Sequence, residues 1–181
     1  MANEAPGWVW LIPLRDLDPD ARAIQLGAVA GLGLQPGQER FVGDPLRMAL
    51  AGLEEESRRP YVVEASGSAV GVLTLQLGAA RLAGWPDDDS AWLLRGFLID
   101  RRHQGKGLGT LAALAAVDAA RRLTARHQSG EAGVVLSVNE ANKAGVSAYL
   151  RARFVDTGQY LGGSAGPQRT MFHSFIGVAP P

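Results

Sequence analysis

The chain contains no cysteine among its 181 residues. Disulfides, thiolate metal sites and a cysteine nucleophile are therefore all excluded. Histidine is almost as scarce, and His103, His127 and His173 are scattered, which argues against a multi-histidine metal site. Net charge is missing too. Eighteen basic and eighteen acidic residues cancel, so no global field draws the protein to nucleic acid or to an anionic membrane. No run approaches eighteen apolar residues, and the first residues, with Glu4 among them, form no basic apolar leader. A soluble cytoplasmic protein is the expectation. Two nucleotide-binding signatures are also absent. No Gly-x-x-x-x-Gly-Lys-Ser/Thr string occurs. The pattern Gly-x-Gly-x-x-Gly fails in both places where it could begin, with Thr110 after Gly105 and Gly107, and Pro36 after Gly31 and Gly33.

What is present centres on Phe97–Thr110. The apolar run Trp92–Ile99 reads as a buried strand that stops at Asp100. A basic turn with Arg101 and Arg102 follows, then a loop with glycine at Gly105, Gly107 and Gly109, then a long helical pattern. Strand, glycine loop and helix together suit an anion. Glycines let backbone N–H groups approach closely, and a helix N-terminus adds partial positive charge. With Lys106 nearby, the stretch reads as a diphosphate cradle. The bland alternative is a glycine-rich turn that merely reverses the chain.

The remaining elements follow from periodicity and turn chemistry, within a single domain spanning residues 1–181. Trp8–Leu14 is a first strand. Asp18-Pro19 starts a helix to about Gly27, Gly31–Gly37 is a loop, and Asp44-Pro45 starts a second helix to Ser57. Glu54–Arg59 reads as a solvated face. Tyr61–Ala65 and Ala69–Leu77 are strands joined by the turn Ser66-Gly67-Ser68. Trp85–Ser90, with three aspartates, is a turn in which exposed turn chemistry outweighs cation binding. Leu111–Val117 contains no polar residue, which predicts helix packed nearly all round, and His127–Gly130 ends it. Val134–Val138 is a strand, Asn139–Asn142 opens a helix to about Arg151, and Phe154–Tyr160 and Thr170–Val178 are the last strands. Only the tail Gly177–Pro181 looks frayed. The order β-α-α-β-β-β-α-β-α-β-β is mixed α/β, not strict alternation.

Two motifs together carry a resemblance. Gln104-x-x-Gly107-x-Gly109, with Gly105 added, resembles the acetyl-CoA pyrophosphate loop of the GNAT superfamily of N-acetyltransferases. Some forty residues on, Asn142 and Tyr149 keep the superfamily's Asn-to-Tyr spacing of seven, about two helical turns, so both can point to one side. Phe154 follows, but Arg153 stands where the superfamily has glycine. Taken alone, Tyr149 could be a core residue and Asn139 an N-cap. A closer similarity joins Gln38–Val42 with Phe97-Leu98-Ile99-Asp100 and the following Gln104-Gly105-Lys106-Gly107, strings that look like those of bacterial spermine/spermidine (diamine) acetyltransferases.

The resemblance implies a GNAT fold, a central mixed sheet of about seven strands flanked by about four helices. It implies an acetyl-CoA-dependent enzyme that acetylates a primary amine, a small polyamine or diamine. Backbone groups of Phe97, Leu98 and Ile99 would hold the pantetheine arm and polarise the thioester. Amides of Gln104, Gly105, Lys106, Gly107, Leu108, Gly109 and Thr110 would bind the pyrophosphate, and Asn142 the pantetheine or nucleotide. Tyr149 would protonate the departing thiolate. The base is open among Asp100, Glu64 and a water chain. Glu39, Asp44 and Glu54–Glu56 lie where the superfamily builds its acceptor cleft. Rival readings are a protein or peptide N-acetyltransferase and a non-catalytic acyl-CoA-binding regulator. Homodimerisation through the sheet or C-terminal strands is a further implication.

Overall fold

A computed structural model describes residues 8–163 and 166–176. Seven strands form one sheet in the order β1-β2-β3-β4-β5-β7-β6. They are β1 (Val9–Pro13), β2 (Arg58–Ala65), β3 (Ser68–Gln76), β4 (Trp92–Ile99), β5 (Gly133–Asn139), β6 (Val155–Tyr160) and β7 (Gln168–Ser174). The helices are α1 (Pro19–Ala30), α2 (Pro45–Glu54), α3 (Leu108–His127) and α4 (Lys143–Arg151). Every strand pairing is antiparallel except β4 with β5. This is the α/β GNAT fold and the element order that the sequence implied.

Alternation of side chains gives the sheet two covered faces. On one face Val62, Val72 and Leu98 pack with Leu14, Val29 and Ala49, beneath α1 and α2. On the other Val63, Leu73, Leu75, Trp92, Leu94 and Leu136 pack with the alanines of α3, and Tyr149 of α4 joins them. Asp18 and Asp44 cap α1 and α2 by accepting from the amides of Ala21 and Arg47, and each precedes a proline at the first helical position.

The differences from the sequence reading have local causes. Helix α1 runs on to Ala30. Helix α2 stops at Glu54 because Arg15, far upstream, donates its guanidinium to the carbonyls of Gly52, Leu53 and Glu55. Arg58 and Arg59 then belong to β2, not to a solvated helix face. Within Leu111–Val117, Leu114 is exposed, so α3 is not packed all round. The last strand is Gln168–Ser174, and its expected end at Val178 and the tail from Gly177 lie outside the described residues. The aspartate turn is turn chemistry: Asp87 accepts from the amides of Asp89 and Ser90, and no metal-binding group of acidic or histidine residues occurs among the described residues. No helix among them is long and apolar enough to cross a membrane.

Candidate active site

Two irregularities in β4 open the sheet. Between Val72↔Leu98 and Thr74↔Arg95, β4 contains one residue more than β3, a bulge at Gly96–Phe97, where Gly96 takes φ 56°. On its other side β4 pairs with β5 only at Trp92↔Val134 and Leu93↔Val135. From Leu94 to Ile99 that edge has no strand partner among the described residues. The splay forms a cleft of about 960 Å³ between α2 on one side and α3 and α4 on the other.

The glycine loop closes one end of the cleft. Gly105 (φ 77°) and Gly107 (φ 80°) adopt left-handed conformations with open space where a side chain would stand. The amides of Thr110 and Leu111 bond to the carbonyl of Gly107 and close the first turn of α3. None of the backbone N–H groups from Gln104 to Gly109 has a hydrogen-bond partner among the described residues. Six donors therefore stand without partners among the described residues beside a helix N-terminus that has no side-chain cap. Gly105, Gly107, Leu108, Gly109 and Thr110 line the cleft, whereas the Lys106 side chain is exposed and does not.

The Gln104 side chain has a structural task. Its Nε2 donates to the carbonyl of Ile99 at 2.8 Å and to Oε1 of Gln38 at 3.1 Å. The two strings quoted for the diamine resemblance, 66 residues apart at these glutamines, are thus in direct contact, and Gln38, Phe41 and Val42 line the cleft.

Asp100, considered above as a base, is fully buried and committed. It accepts from the Arg102 guanidinium at 2.9 Å, the Gly33 amide at 2.9 Å and the Arg102 amide at 2.8 Å. The Arg102 guanidinium above all, with those amides, holds its carboxyl well below the usual carboxylate range, although burial pulls the other way. A carboxylate so stabilised is a poor proton acceptor. Its role is to fasten the Gly31–Gly33 loop to the end of β4. Glu64 lies outside the cleft lining.

Helix α4 supplies the facing wall. Asn142, not Asn139, is its N-cap, accepting from the Gly145 amide, while Asn139 accepts from the Ala141 amide in the preceding turn. Asn142 and Tyr149 both line the cleft, as their spacing predicted. Tyr149 packs edge-on against Phe154 with ring centroids 5.8 Å apart, and burial pushes its phenol well above the ordinary tyrosine value. Its hydroxyl makes no hydrogen bond to a described residue and is not sealed from solvent, so it is available to a molecule in the cleft. Arg153 takes φ 64° in the position glycine usually fills, and the turn still closes, with the Phe154 amide donating to the carbonyl of Tyr149.

At the α2 end, where the resemblance implied an acceptor cleft with carboxylates nearby, the lining is mainly cationic. It presents Asp44, Arg47 and Met48 from α2 and its entry, facing Arg58 of β2, Thr74 of β3 and Arg95 of β4. Glu39 and Glu54–Glu56 do not line it. Of the carboxylates expected there only Asp44 lines the cleft, and for the arginines the sequence signal was Arg95 inside the apolar run of β4.

The acetyltransferase (GNAT) family model matches residues 34–153, and the chain belongs to that family. It is an acetyl-CoA-dependent N-acetyltransferase. Among solved structures it resembles an aminoglycoside acetyltransferase crystallised with coenzyme A, at 18% identity over 93% of this chain and 94% of that one (TM-score 0.63). It also resembles the Vibrio cholerae spermidine N-acetyltransferase crystallised with CoA and spermine, at 15% identity over 92% and 95% (TM-score 0.60). An acetyltransferase from Thermus thermophilus aligns at 19% identity over 94% and 99% (TM-score 0.56). At these identities the likeness is one of fold. No curated protein matches the sequence.

Proposed function

We propose that this protein transfers the acetyl group of acetyl-CoA to the primary amine of a small molecule that enters from the α2 side of the cleft. The observation that carries this reading is the continuity of the β4 edge with the six amides beyond it, neither of which has a backbone partner among the described residues. The backbone of Phe97, Leu98 and Ile99 offers a strand-like edge for the amide-bearing pantetheine arm, and an N–H there polarises the thioester carbonyl. The amides from Gln104 to Gly109, at the positive end of α3, hold the pyrophosphate, with Lys106 adding charge from the rim. Asn142 borders the path between them.

The chemistry then needs proximity and two proton movements. The amine, freed of its extra proton, attacks the carbonyl carbon; the C–N bond forms, the C–S bond breaks, and the sulfur takes a proton. That proton comes from Tyr149, whose hydroxyl borders the cleft without a hydrogen-bond partner among the described residues and whose burial keeps the phenol protonated. With Asp100 committed to Arg102 and Glu64 outside the cleft, the ammonium proton leaves through water.

A polyamine acceptor is the second reading. It is favoured by Gln38, Phe41 and Val42, which line the cleft as part of the diamine-type string. CoA release from acetyl-CoA, measured with polyamines, diamines, amino acids, aminosugars and lysine peptides, tests the whole proposal. Turnover on a small amine and a rise in Tm with acetyl-CoA are expected. Turnover on peptides alone would discard the small-molecule acceptor, and no thermal shift would discard the cofactor assignment.

A further inference from the structure

Resting on that reading of the cleft, we propose that the amine acceptor carries an anionic oxygen group, a carboxylate or a phosphate, received by Arg95 at the α2 end with Arg47 and Arg58 beside it. Arg95 lies between Leu94 and Gly96 in a strand otherwise wholly apolar, where a guanidinium gives up much of its hydration. Sequence economy does not call for it there. The fold gives it one polar partner among the described residues, Gln76, whose Oε1 accepts from its Nη1 at 2.8 Å. That same oxygen also accepts from Nε of Arg58 at 3.2 Å, so one neutral acceptor serves two cations.

Charge is compensated unequally among the three arginines. Arg58 pairs with Glu55 at 2.9 Å. Arg95 and Arg47 form no ion pair among the described residues. Burial above all, and then the charge of Arg58, pull the Arg95 pKa below its ordinary value, and the charge of Glu55 pulls the other way without offsetting them. Asp44 is the one carboxylate among the described residues lining the cleft, and its Oδ1 is occupied in capping α2. Glu55 does not line the cleft and is engaged by Arg58, Gln76 and Ser57.

A second ammonium on a diamine would meet guanidinium groups here. A carboxylate or phosphate instead meets a planar fork with several N–H donors still unused, the geometry arginine presents to such oxyanions. The Arg95 side of the sheet is the α2 side, opposite the wall that carries Tyr149. The arrangement therefore suits an acceptor whose amine points toward the thioester while its anion stays at the α2 end.

Matched acceptors test this. Initial rates are compared for ω-amino acids, aminoalkyl phosphates, the corresponding amino amides and diamines of equal length, with acetyl-CoA saturating. At least a tenfold advantage in kcat/KM for the carboxylate or the phosphate member over the amide and the diamine is expected, and the better of the two identifies the group. Arg95→Gln should raise KM for that acceptor at least tenfold. The rise in Tm caused by acetyl-CoA reports that the variant is folded and its cofactor end intact. Arg47→Gln, an exposed change on α2, should raise the same KM less, and Arg95→Lys should restore part of the loss. Equal or faster turnover of the diamine or amide would overturn the inference and leave the acetyltransferase reading standing. So would silence of every anionic acceptor while acetyl-CoA still raises Tm. Absence of that thermal shift in the unaltered protein would overturn both.

Discussion

Phe97 on the bulged part of β4 and Tyr149 on α4 place their rings 6.0 Å apart with planes tilted by 51°. The pair joins the strand that ends in the glycine loop to the helix on the facing wall. Phe154 continues the contact from Tyr149, and His173 continues it from Phe154 at 5.4 Å. The ring of Tyr149 is thus held by packing, while its hydroxyl is left without a protein partner among the described residues.

Tyr149→Phe separates these two roles, because the ring contacts survive and only the hydroxyl is lost. If the phenol is the acid, kcat should fall by about 100-fold with little change in the KM for acetyl-CoA. The pH profile gives a second readout. Burial raises the phenol's pKa, so the proton is lost only above the ordinary tyrosine value of about 10. The kcat of the unaltered enzyme should therefore show no decline from Tyr149 between about pH 7 and about pH 10. A descending limb in that range that disappears in the phenylalanine variant would contradict the buried, protonated phenol.

Gly107→Asp tests the cradle. A side chain here meets open space, so bulk is not the difficulty in the free protein. The cost is a left-handed backbone at φ 80°, together with a negative charge among the amides proposed to hold the pyrophosphate. The acetyl-CoA thermal shift should vanish in this variant and persist, reduced, in Gly107→Ala. Equal shifts in both variants would move the phosphate site elsewhere.

Much of this arrangement could be read from the chain before any coordinates. Aspartate before proline marked α1 and α2, the apolar block Trp92–Ile99 marked β4, and Gly105–Gly109 marked the loop. What escaped was tertiary. Nothing local in the sequence says that Arg15 ends α2, that Gln38 meets Gln104, or that Asp100 is spent on Arg102 and Gly33. The bulge was signalled only by Gly96, a residue that breaks the apolar block without disturbing its reading as a strand. Arg95 is hidden in the sequence for the same reason. In a run of eight residues one charged position looks like the solvent side of a strand, and only the tertiary packing shows that this side shares a cleft with a helix.

Asp100→Asn removes a charge from a fully buried group that accepts from one guanidinium and two amides. At about pH 7 the loss should be about 2 kcal/mol in urea unfolding, the scale of hydrogen bonds to a charged group. The folded pKa is depressed, so the carboxylate's contribution is complete above its unfolded value, about 4, and is lost as pH falls below it. The stability gap between the two proteins should accordingly be constant from about pH 7 to about pH 5 and shrink toward about pH 3. A gap independent of pH would mean that packing around the side chain, rather than its ionisation, is what the substitution damages.

Arg153→Gly is expected to stabilise the protein. Arg153 sits just past α4 at φ 64°, and its side chain makes no hydrogen bond or ion pair among the described residues that could offset the strain. An L-residue with a Cβ in the left-handed region costs roughly 1–2 kcal/mol relative to glycine. The unfolded chain gains conformational freedom with glycine, which returns about 0.4–1 kcal/mol of that. The net gain is about 0.5–1 kcal/mol, a rise of about 1–4 °C in Tm for a chain of this size. The change also bears on function, since the Phe154 amide that donates to the Tyr149 carbonyl lies immediately after this residue. If the turn is already formed despite its strain, Tm should rise while kcat and both KM values stay unchanged. A rise in Tm accompanied by a change in kcat would instead show that the strain at Arg153 is transmitted to the position of Tyr149.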